Sequence, residues 1–222
     1  MTTMTMPRPR TDSGMEGMTA KWYAANTAEM MNEYVALAQR IAAQLPQGSS
    51  VLEVAPGPGY FCIELARLGD YRIAGLDLSR TFVRLASMQA AKAGVNVDFQ
   101  QGSASSLPFP ARSFDFLLCR AAFKNFGKPE EALHEMSRVL RPGGRALIID
   151  LKGDATPDSI SEHIDAMGLS TVNRILTRLV FKTMLLKRAY TREQFQEMLW
   201  EIDFSNVEIN EDDMGFEIWL TK

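Results

Sequence analysis

The sequence predicts an α/β fold, a doubly wound and mostly parallel sheet with helices on both faces. Short apolar segments alternate with segments of helical periodicity over 51–151, and such alternation produces parallel strands joined by right-handed crossovers. A loop of alternating proline and glycine follows the first apolar segment, which indicates a sharp strand-to-helix turn. The last segment, 207–222, holds two strand-like runs around a turn at 213–215, which predicts an antiparallel pair.

The elements follow one another at short spacing. A helical pattern ends at Pro46, and Ser79 and Thr191 are suitable caps for two later helices. The predicted helices cover 20–45, 60–69, 80–94, 129–144 and 190–204. The predicted strands cover 51–55, 71–79, 95–102, 114–122, 145–151 and the two runs of the C-terminal pair, which makes seven.

The domain organisation follows from composition along the chain. Residues 1–17 contain no apolar core of the kind a secretory signal needs, and we expect them to be a disordered tail. Residues 18–222 are long enough for one domain. Within it, 153–188 departs from the strand–helix alternation with two amphipathic helical patterns, which we expect to form an inserted lid.

Composition narrows the classes of function. The formal net charge of −3 gives no electrostatic footprint for nucleic acid. No uncharged apolar run reaches the roughly 18 residues that a transmembrane helix requires. Cys62 and Cys119 both lie in apolar runs, which favours buried thiols over a disulfide framework. We therefore expect a cytoplasmic enzyme or binding protein.

The loop after the first strand is Glu53-Val-Ala-Pro-Gly-Pro-Gly59. In doubly wound sheets ligands bind beyond the carboxyl ends of the strands, and glycine allows a ligand to lie against bare backbone. A pyrophosphate loop works through its backbone amides, whereas Pro56 and Pro58 each remove one. The loop is therefore better suited to a nucleoside without phosphate than to a dinucleotide.

Four segments, in order, resemble the motifs of class I S-adenosylmethionine-dependent methyltransferases, which have a Rossmann-like fold. They are EVAPGPG, GLDLS, QGSASSLPF and FDFLLCRAAFKNF, followed by RVLRPGGRALIID. The resemblance is closest to the small-molecule branch of quinone and natural-product methyltransferases, and it implies S-adenosyl-L-methionine as cofactor. Ala55 stands where the family has its first glycine, and a positive φ there would cost cofactor affinity.

The resemblance also implies the roles of individual residues. Asp77 would hold both ribose hydroxyls, Leu78 would pack on the adenine, and Ser103 stands where the family often has an aspartate. The N-terminal aromatic Tyr23 would close over the cofactor. The implied cofactor-binding residues are Tyr23, Glu53, Ala55, Gly57, Gly59, Asp77, Leu78, Gly102, Ser103, Ala104, Cys119 and Arg120.

The sequence offers few catalytic candidates. Relatives often carry two histidines after the fourth strand, where this chain has Lys124 and Asn125. Lys124 is expected either to hold an anionic substrate group or to be solvated. His163 in the insertion is a candidate base or a solvated residue, and His134 is expected on a helix surface. No ligand spacing suggests a metal.

These features predict methyl transfer to a small, apolar or aromatic acceptor by direct in-line displacement. The apolar insertion would form the lid over such an acceptor or pack against a second copy as a homodimer. The stripe Arg174, Arg178 and Lys182 is either a solvated face or a site for an anionic tail or membrane surface. A catalytically silent cofactor-binding module and a macromolecule methyltransferase remain alternatives, while the prolines disfavour a nicotinamide-dependent oxidoreductase.

Overall fold

The computed structural model describes residues 14–166, 178 and 185–222 of the chain. Its helices are α1 (Gly17–Thr27), α2 (Met31–Ala42), α3 (Tyr60–Ala66), α4 (Arg80–Ala93), α5 (Pro129–Val139), α6 (Pro157–Ala166) and α7 (Arg192–Leu199). Its strands are β1 (Ser50–Val54), β2 (Arg72–Asp77), β3 (Asp98–Gln101), β4 (Phe114–Arg120), β5 (Leu140–Leu151), β6 (Asn206–Glu211) and β7 (Gly215–Thr221).

The strands form one seven-stranded sheet in the order β3-β2-β1-β4-β5-β7-β6. Strands β1 to β5 pair in parallel, and β7 runs antiparallel between β5 and β6. The predicted doubly wound sheet and its antiparallel C-terminal pair are therefore confirmed. The chain order reverses between β1 and β4, and this switch point is where such sheets bind ligands.

Two hydrophobic cores cover the two faces of the sheet. On one face, Leu37 and Ile41 of α2 and Phe61 of α3 pack against the odd-numbered side chains of β1. On the other face, Met136 of α5 and Phe195 of α7 pack against the even-numbered ones. All five residues of β1 are buried, as expected for a central strand of a parallel sheet. The central strand ends are thus held rigidly from both sides.

The predicted helix over 20–45 is wrong in one respect, because a 3₁₀ segment at Ala28–Met30 divides it into α1 and α2. The Thr27 hydroxyl donates to the carbonyl of Tyr23 at 2.9 Å and to that of Ala24 at 3.3 Å. Such back-bonding bends a helix. The Tyr60 hydroxyl also donates to the Ala24 carbonyl at 2.8 Å, which ties the end of α1 to α3.

The predicted caps form. The Ser79 hydroxyl accepts from the Phe82 amide at 3.0 Å at the start of α4, and Thr191 and Gln194 form a reciprocal capping box on α7. In the turn between β6 and β7, Asp212 accepts from the amides of Met214 and Gly215. These local interactions set the starts of α4 and α7 where the sequence predicts them. The helix predicted over 129–144 is wrong at its end, because the backbone becomes extended at Leu140 and β5 begins there, five residues before the predicted strand.

The insertion is described in part. The first predicted helix is present as α6, whose Ile160 and Ile164 form a small core with neighbouring apolar side chains. The second predicted helix, over 169–188, lies mostly outside the described residues, as do Arg174 and Lys182. Arg178 is exposed and lies 3.5 Å from Asp165. Within the ranges 14–166 and 185–222, no helix has the length and apolar character needed to cross a bilayer.

Candidate active site

The Asp77 carboxylate joins the two loops that border the predicted site. Asp77 ends β2 and is 7% exposed. One carboxylate oxygen accepts from the Gly57 amide at 3.0 Å, and the other accepts from the Ser79 amide at 2.8 Å. Burial raises the pKa of this carboxyl, and the two amides oppose that rise. Because an ionised carboxylate has about four acceptor positions, Asp77 retains capacity for hydroxyl donors of a ligand.

The loop after β1 adopts left-handed backbone at three positions. The φ angles are 58° at Ala55, 53° at Gly57 and 80° at Gly59. A Cβ on Gly57 would have no heavy atom within 4 Å, so bare backbone faces open space there. Left-handed backbone costs a residue with a Cβ about 1–2 kcal/mol, and Ala55 carries this strain. The Ala55 amide donates to the Leu76 carbonyl at 2.7 Å.

Glu53 and Cys62 form a buried pair beneath this loop. The Cys62 thiol donates to a Glu53 carboxylate oxygen at 2.9 Å, and Glu53 is 3% exposed. Burial raises the pKa of Glu53 to about 7, against the lowering effect of the Cys62 hydrogen bond and the Arg120 charge. Burial also raises the pKa values of Cys62 and Cys119 well above that of a free thiol.

The Arg120 side chain extends from the end of β4 toward α2. Its guanidinium carbon lies 4.3 Å from the centre of the Tyr34 ring, and Nη2 donates to Glu33 at 2.6 Å. The Tyr34 ring packs edge-to-face on Tyr60, the first residue of α3, at 5.4 Å. Sequence reasoning missed Glu33, Tyr34 and Tyr60, because only the tertiary fold brings α2 over the strand ends.

Tyr23 of α1 lies above the same strand ends. Its ring packs edge-to-face on Phe82 at 5.9 Å. Burial raises the pKa of Tyr23, the Arg120 charge lowers it, and the Asp150 and Asp77 charges raise it. The phenol is thus within electrostatic reach of the ends of β2, β4 and β5. This placement suits the covering role that the resemblance implies.

Residues 14–17, assigned by sequence to a disordered tail, are docked on the start of α4. Glu16 accepts from the amides of Arg80, at 2.8 Å, and Thr81, at 3.1 Å. The Ser79 hydroxyl donates to the Met15 carbonyl at 2.6 Å. A carboxylate at a helix N-terminus is favoured by the helix dipole. Residues 14–17 are therefore ordered against α4, two residues from Asp77 through the Ser79 contact, and the rest of the predicted tail lies outside the described residues.

The predicted adenine-binding segment also meets Asp77. The Gly102 amide donates to the Asp77 carbonyl at 3.0 Å, and Gln101 donates through its side chain to the Leu78 carbonyl at 3.2 Å. The Ser103 and Ser105 hydroxyls lie 2.9 Å apart. Gly102, Ser103 and Ala104 thus follow β3 beside Asp77 and Leu78, as the motif order predicts.

Lys124 is buried in an ion pair with Asp150, so the expectation of a solvated side chain is wrong. It is 5% exposed, and its Nζ donates to Asp150 at 2.7 Å and to the Ala121 carbonyl at 2.6 Å. Asp150 also accepts from the Lys124 amide at 2.9 Å. No sequence signal predicts this pair, because its members lie 26 residues apart. It fixes the turn after β4.

The other candidate catalytic residues are dispersed. Asn125 is exposed and accepts from Arg188 at 3.3 Å. His134 is exposed on α5, as expected for a helix surface. His163 belongs to α6. Among the residues in 14–166, 178 and 185–222, no group of three or more His, Cys, Asp or Glu side chains is placed to hold a metal ion.

A surface cavity of about 280 Å³ lies at the amino ends of β4 and β5, opposite the predicted cofactor site. Its lining includes Gln44, the ion-paired Asp115 and Arg141, and Arg145. The Arg145 guanidinium donates to Gln44 and lies 4.2 Å from the Trp219 ring. None of the cofactor-binding residues that the resemblance implies lines this cavity. It lies at the amino ends of the strands, where doubly wound sheets do not bind their ligands.

Comparison with known proteins agrees with the motif order. Residues 52–148 match the family model described as a methyltransferase domain. This segment is a class I methyltransferase domain. The match contains Glu53, the proline–glycine loop, Asp77 and Arg120, so the predicted family is confirmed on the part of the chain that builds the site. S-adenosyl-L-methionine is the cofactor of that class.

Curated relatives share this domain. The chain is 37% identical over 120 residues to an uncharacterized methyltransferase, YcgJ, of Bacillus subtilis, which covers 53% of this chain and 47% of the relative. It is 38% identical over 107 residues to the demethylmenaquinone methyltransferase of Deinococcus radiodurans, covering 48% of this chain and 44% of that protein. The chain therefore spans about half the length of the curated relatives it matches.

The fold extends beyond the matched segment. A crystal structure of a candidate S-adenosyl-L-methionine-dependent methyltransferase from Methanococcus maripaludis has a TM-score of 0.75. It is 23% identical in sequence, and the similarity covers 96% of each chain. The similarity in fold thus covers the predicted architecture, including the C-terminal strand pair outside the matched segment.

The left-handed glycines of the methyltransferase domain predict a pair of unequal substitutions. At Gly59 an added Cβ would lie 2.7 Å from the Phe99 ring and 2.9 Å from the Ala86 Cβ, whereas at Gly57 it meets nothing. Gly57→Ala should cost about 1–2 kcal/mol of unfolding free energy from backbone strain alone. Gly59→Ala should cost about 1–3 kcal/mol more, because overpacking adds to the strain. Urea unfolding measures both, and equal losses would contradict this account.

The raised pKa of Glu53 predicts a pH-dependent stability. In the unfolded chain this carboxyl titrates near 4.5, and in the fold near 7. The folded state therefore binds the extra proton between these values, and this contribution to stability is complete below pH 4.5 and lost as pH rises through 7. The shift in the pKa of Glu53 corresponds to a contribution of about 3 kcal/mol to the unfolding free energy.

Glu53→Gln should flatten this part of the stability profile. The amide cannot ionise, so the difference in urea-derived unfolding free energy between pH 5 and pH 8 should shrink by about 2.5 kcal/mol, part of the contribution being already lost at pH 5. Glu64→Gln, on the neighbouring helix α3, is the control and should retain the profile of the unaltered protein. A Glu53→Gln variant with an unchanged pH profile would show that Glu53 does not titrate differently in the fold.

The buried ion pair predicts asymmetric effects on stability. Lys124→Met leaves the Asp150 carboxylate buried without its cation and should cost about 3–5 kcal/mol. The double change Lys124→Met with Asp150→Asn should cost less, because it leaves no buried charge while an amide oxygen still accepts a backbone bond. Lys128→Met, which breaks an exposed pair with Glu131, should cost under about 1 kcal/mol. Equal losses at Lys124 and Lys128 in urea unfolding would refute the prediction.

Proposed function

We propose that this chain binds S-adenosylmethionine and transfers its methyl group to a small, apolar or aromatic acceptor by direct in-line displacement. The observation that carries the proposal is the Asp77 carboxylate, which bridges the loops after β1 and β2 within the segment that matches a methyltransferase domain. The loop after β1 borders the switch point of the sheet. A carboxylate at this place accepts hydroxyl donors, whereas it would repel a phosphate.

The residues present fit the cofactor. Asp77 is placed to accept from the two ribose hydroxyls, and bare backbone at Gly57 leaves room for the nucleoside. Leu78 offers an apolar side chain for the adenine, and the segment after β3 lies beside it through the Gln101 bond to the Leu78 carbonyl. Glu53 is a buried carboxylate at the adjacent strand end, which favours a cationic group. Each contact type matches one part of an uncharged nucleoside with a cationic tail.

The cofactor supplies an activated methyl group when bound, so the chain's main task is alignment and exclusion of water. Proximity and orientation contribute about 7–11 kcal/mol in favourable cases. Tyr23 and α1 lie over the strand ends and shield them. Lys124 is held by Asp150, and His134 is exposed on α5, so neither has a place as a general base in this geometry.

The acceptor class is supported by relatives and by the insertion. The Deinococcus relative is a demethylmenaquinone methyltransferase, and a Hahella chejuensis relative, 33% identical over 129 residues, is a ubiquinone/menaquinone biosynthesis C-methyltransferase. Both names denote apolar ring compounds as acceptors. In this proposal residues 18–222 act as one domain with the insertion 153–188 as its lid, where Ile160 and Ile164 provide apolar packing.

Removing the Asp77 carboxylate should abolish cofactor retention. Asp77→Asn keeps an oxygen that accepts a backbone amide but loses the charge that strengthens hydroxyl donation. Two charge-assisted hydrogen bonds at about 1.5–3 kcal/mol each predict at least a 100-fold rise in the dissociation constant by isothermal titration. Asp98→Asn is the control. Asp98 is the first residue of β3 and lies at the amino end of the strands, so this variant should bind as the unaltered protein does. Unchanged affinity in Asp77→Asn would sink the proposal.

The acceptor is tested by transfer of label. The purified chain is incubated with methyl-labelled S-adenosylmethionine and either a cell extract depleted of macromolecules or the macromolecular fraction. We expect label in compounds that partition into organic solvent. Label in RNA or protein would favour a macromolecule methyltransferase instead, and binding without any transfer would favour a silent cofactor-binding module.

A further inference from the structure

We propose that the Arg120 side chain binds the α-carboxylate of the cofactor's amino-acid tail, and that Glu33 occupies this arginine until the tail displaces it. This inference rests on the proposed function, because it assigns the end of the cofactor opposite to the adenosine. The resemblance implies only that Arg120 belongs to the cofactor site, whereas this inference assigns a role to its guanidinium.

The strand register places Arg120 beside Glu53. In the pairing of β1 with β4, Glu53 lies opposite Leu118, and Arg120 follows two residues later. Side chains two residues apart on a strand share a face, so Arg120 points to the same face of the sheet as Glu53. The two groups therefore present a carboxylate and a guanidinium at adjacent strand ends, a pattern that complements the ammonium and carboxylate of an α-amino acid.

The order of the strands gives the tail its direction. With the ribose at Asp77, at the end of β2, the tail runs across β1 toward β4. Neighbouring strands lie about 4.8 Å apart, so the crossing is about 10 Å, which suits the amino-acid tail of the cofactor. Glu53 lies midway and Arg120 at the far end of this path.

The guanidinium is held in place before any ligand binds. It stacks on Tyr34 at 4.3 Å, and Tyr34 packs on Tyr60 at 5.4 Å. Its side chain is 15% exposed, whereas that of Glu33 is 57% exposed. The arginine is thus the more buried member of the ion pair, held by the Tyr34 ring, and Glu33 is the more exposed one. An exposed partner is lost at a cost below about 1 kcal/mol, while a carboxylate on a planar guanidinium forms two parallel hydrogen bonds.

The test compares S-adenosylmethionine with its decarboxylated analogue by isothermal titration. The unaltered protein should bind the analogue about 10- to 100-fold more weakly, which corresponds to one charge-assisted interaction. In Arg120→Met this gap should shrink to less than about threefold, because only the binding of the intact cofactor weakens. Equal binding of both compounds by the unaltered protein would overturn the inference without any variant.

Glu33 provides a change of opposite sign. If it competes with the cofactor carboxylate, Glu33→Gln should bind S-adenosylmethionine as tightly as the unaltered protein or several-fold more tightly, and the gap to the analogue should persist. If the ion pair only stabilised the fold, Glu33→Gln and Arg120→Met would weaken both compounds alike. That result would overturn the inference.

Arg145→Met is the matched control, because Arg145 also stacks on an aromatic ring and donates to a side chain, but at the opposite edge of the sheet. It should retain the full gap. Should Arg120→Met not fold, Arg120→Lys keeps a charge without the planar fork and should show an intermediate gap. Failure of the unaltered protein to bind S-adenosylmethionine at all would refute the proposed function, whereas a cofactor bound with no gap refutes this inference alone.

Discussion

The two backbone bonds of the Asp77 carboxylate are the interaction on which the rest of the site depends. They connect the loop after β1 to the turn after β2, and they require that the loop turn left-handed at Gly57. The same carboxylate must remain charged while 7% exposed, and its two amide donors offset part of the cost of burial. The Asp77 carboxylate therefore fixes the loop after β1 and also provides the acceptor for the ligand.

The fold and the position of the cofactor loop could be predicted from the sequence because the patterns that indicate them are local. Alternating strands and helices, the cap at Ser79 and the capping box at Thr191 each arise within a few residues. The division of the first helix at Ala28–Met30 was missed, since it comes from the hydroxyl of Thr27 and from Tyr60 on α3. Helical periodicity continues through such a bend and does not reveal it.

The ion pairs around the site were beyond the reach of the sequence for a different reason. Lys124 meets Asp150 across 26 residues, and Arg120 meets Glu33 across 87. Opposite charges at such separations are common in any chain, so only the fold selects the pairs that form. The same holds for Glu16, whose carboxylate caps α4 through amides 64 and 65 residues away. Each of these contacts holds a segment that borders the site. Local sequence patterns therefore determine the strands and helices, whereas long-range contacts complete the site.

The chemistry of the two thiols has a practical consequence. Cys62 and Cys119 are both buried, and burial holds their pKa values far above the range in which a thiolate forms at neutral pH. Thiolate is the reactive species toward maleimides and iodoacetamides, so we expect both native thiols to react with these reagents far more slowly than an exposed cysteine. A single cysteine introduced on α1 would therefore accept a fluorophore selectively, and motion of that helix over the strand ends would become visible by optical spectroscopy.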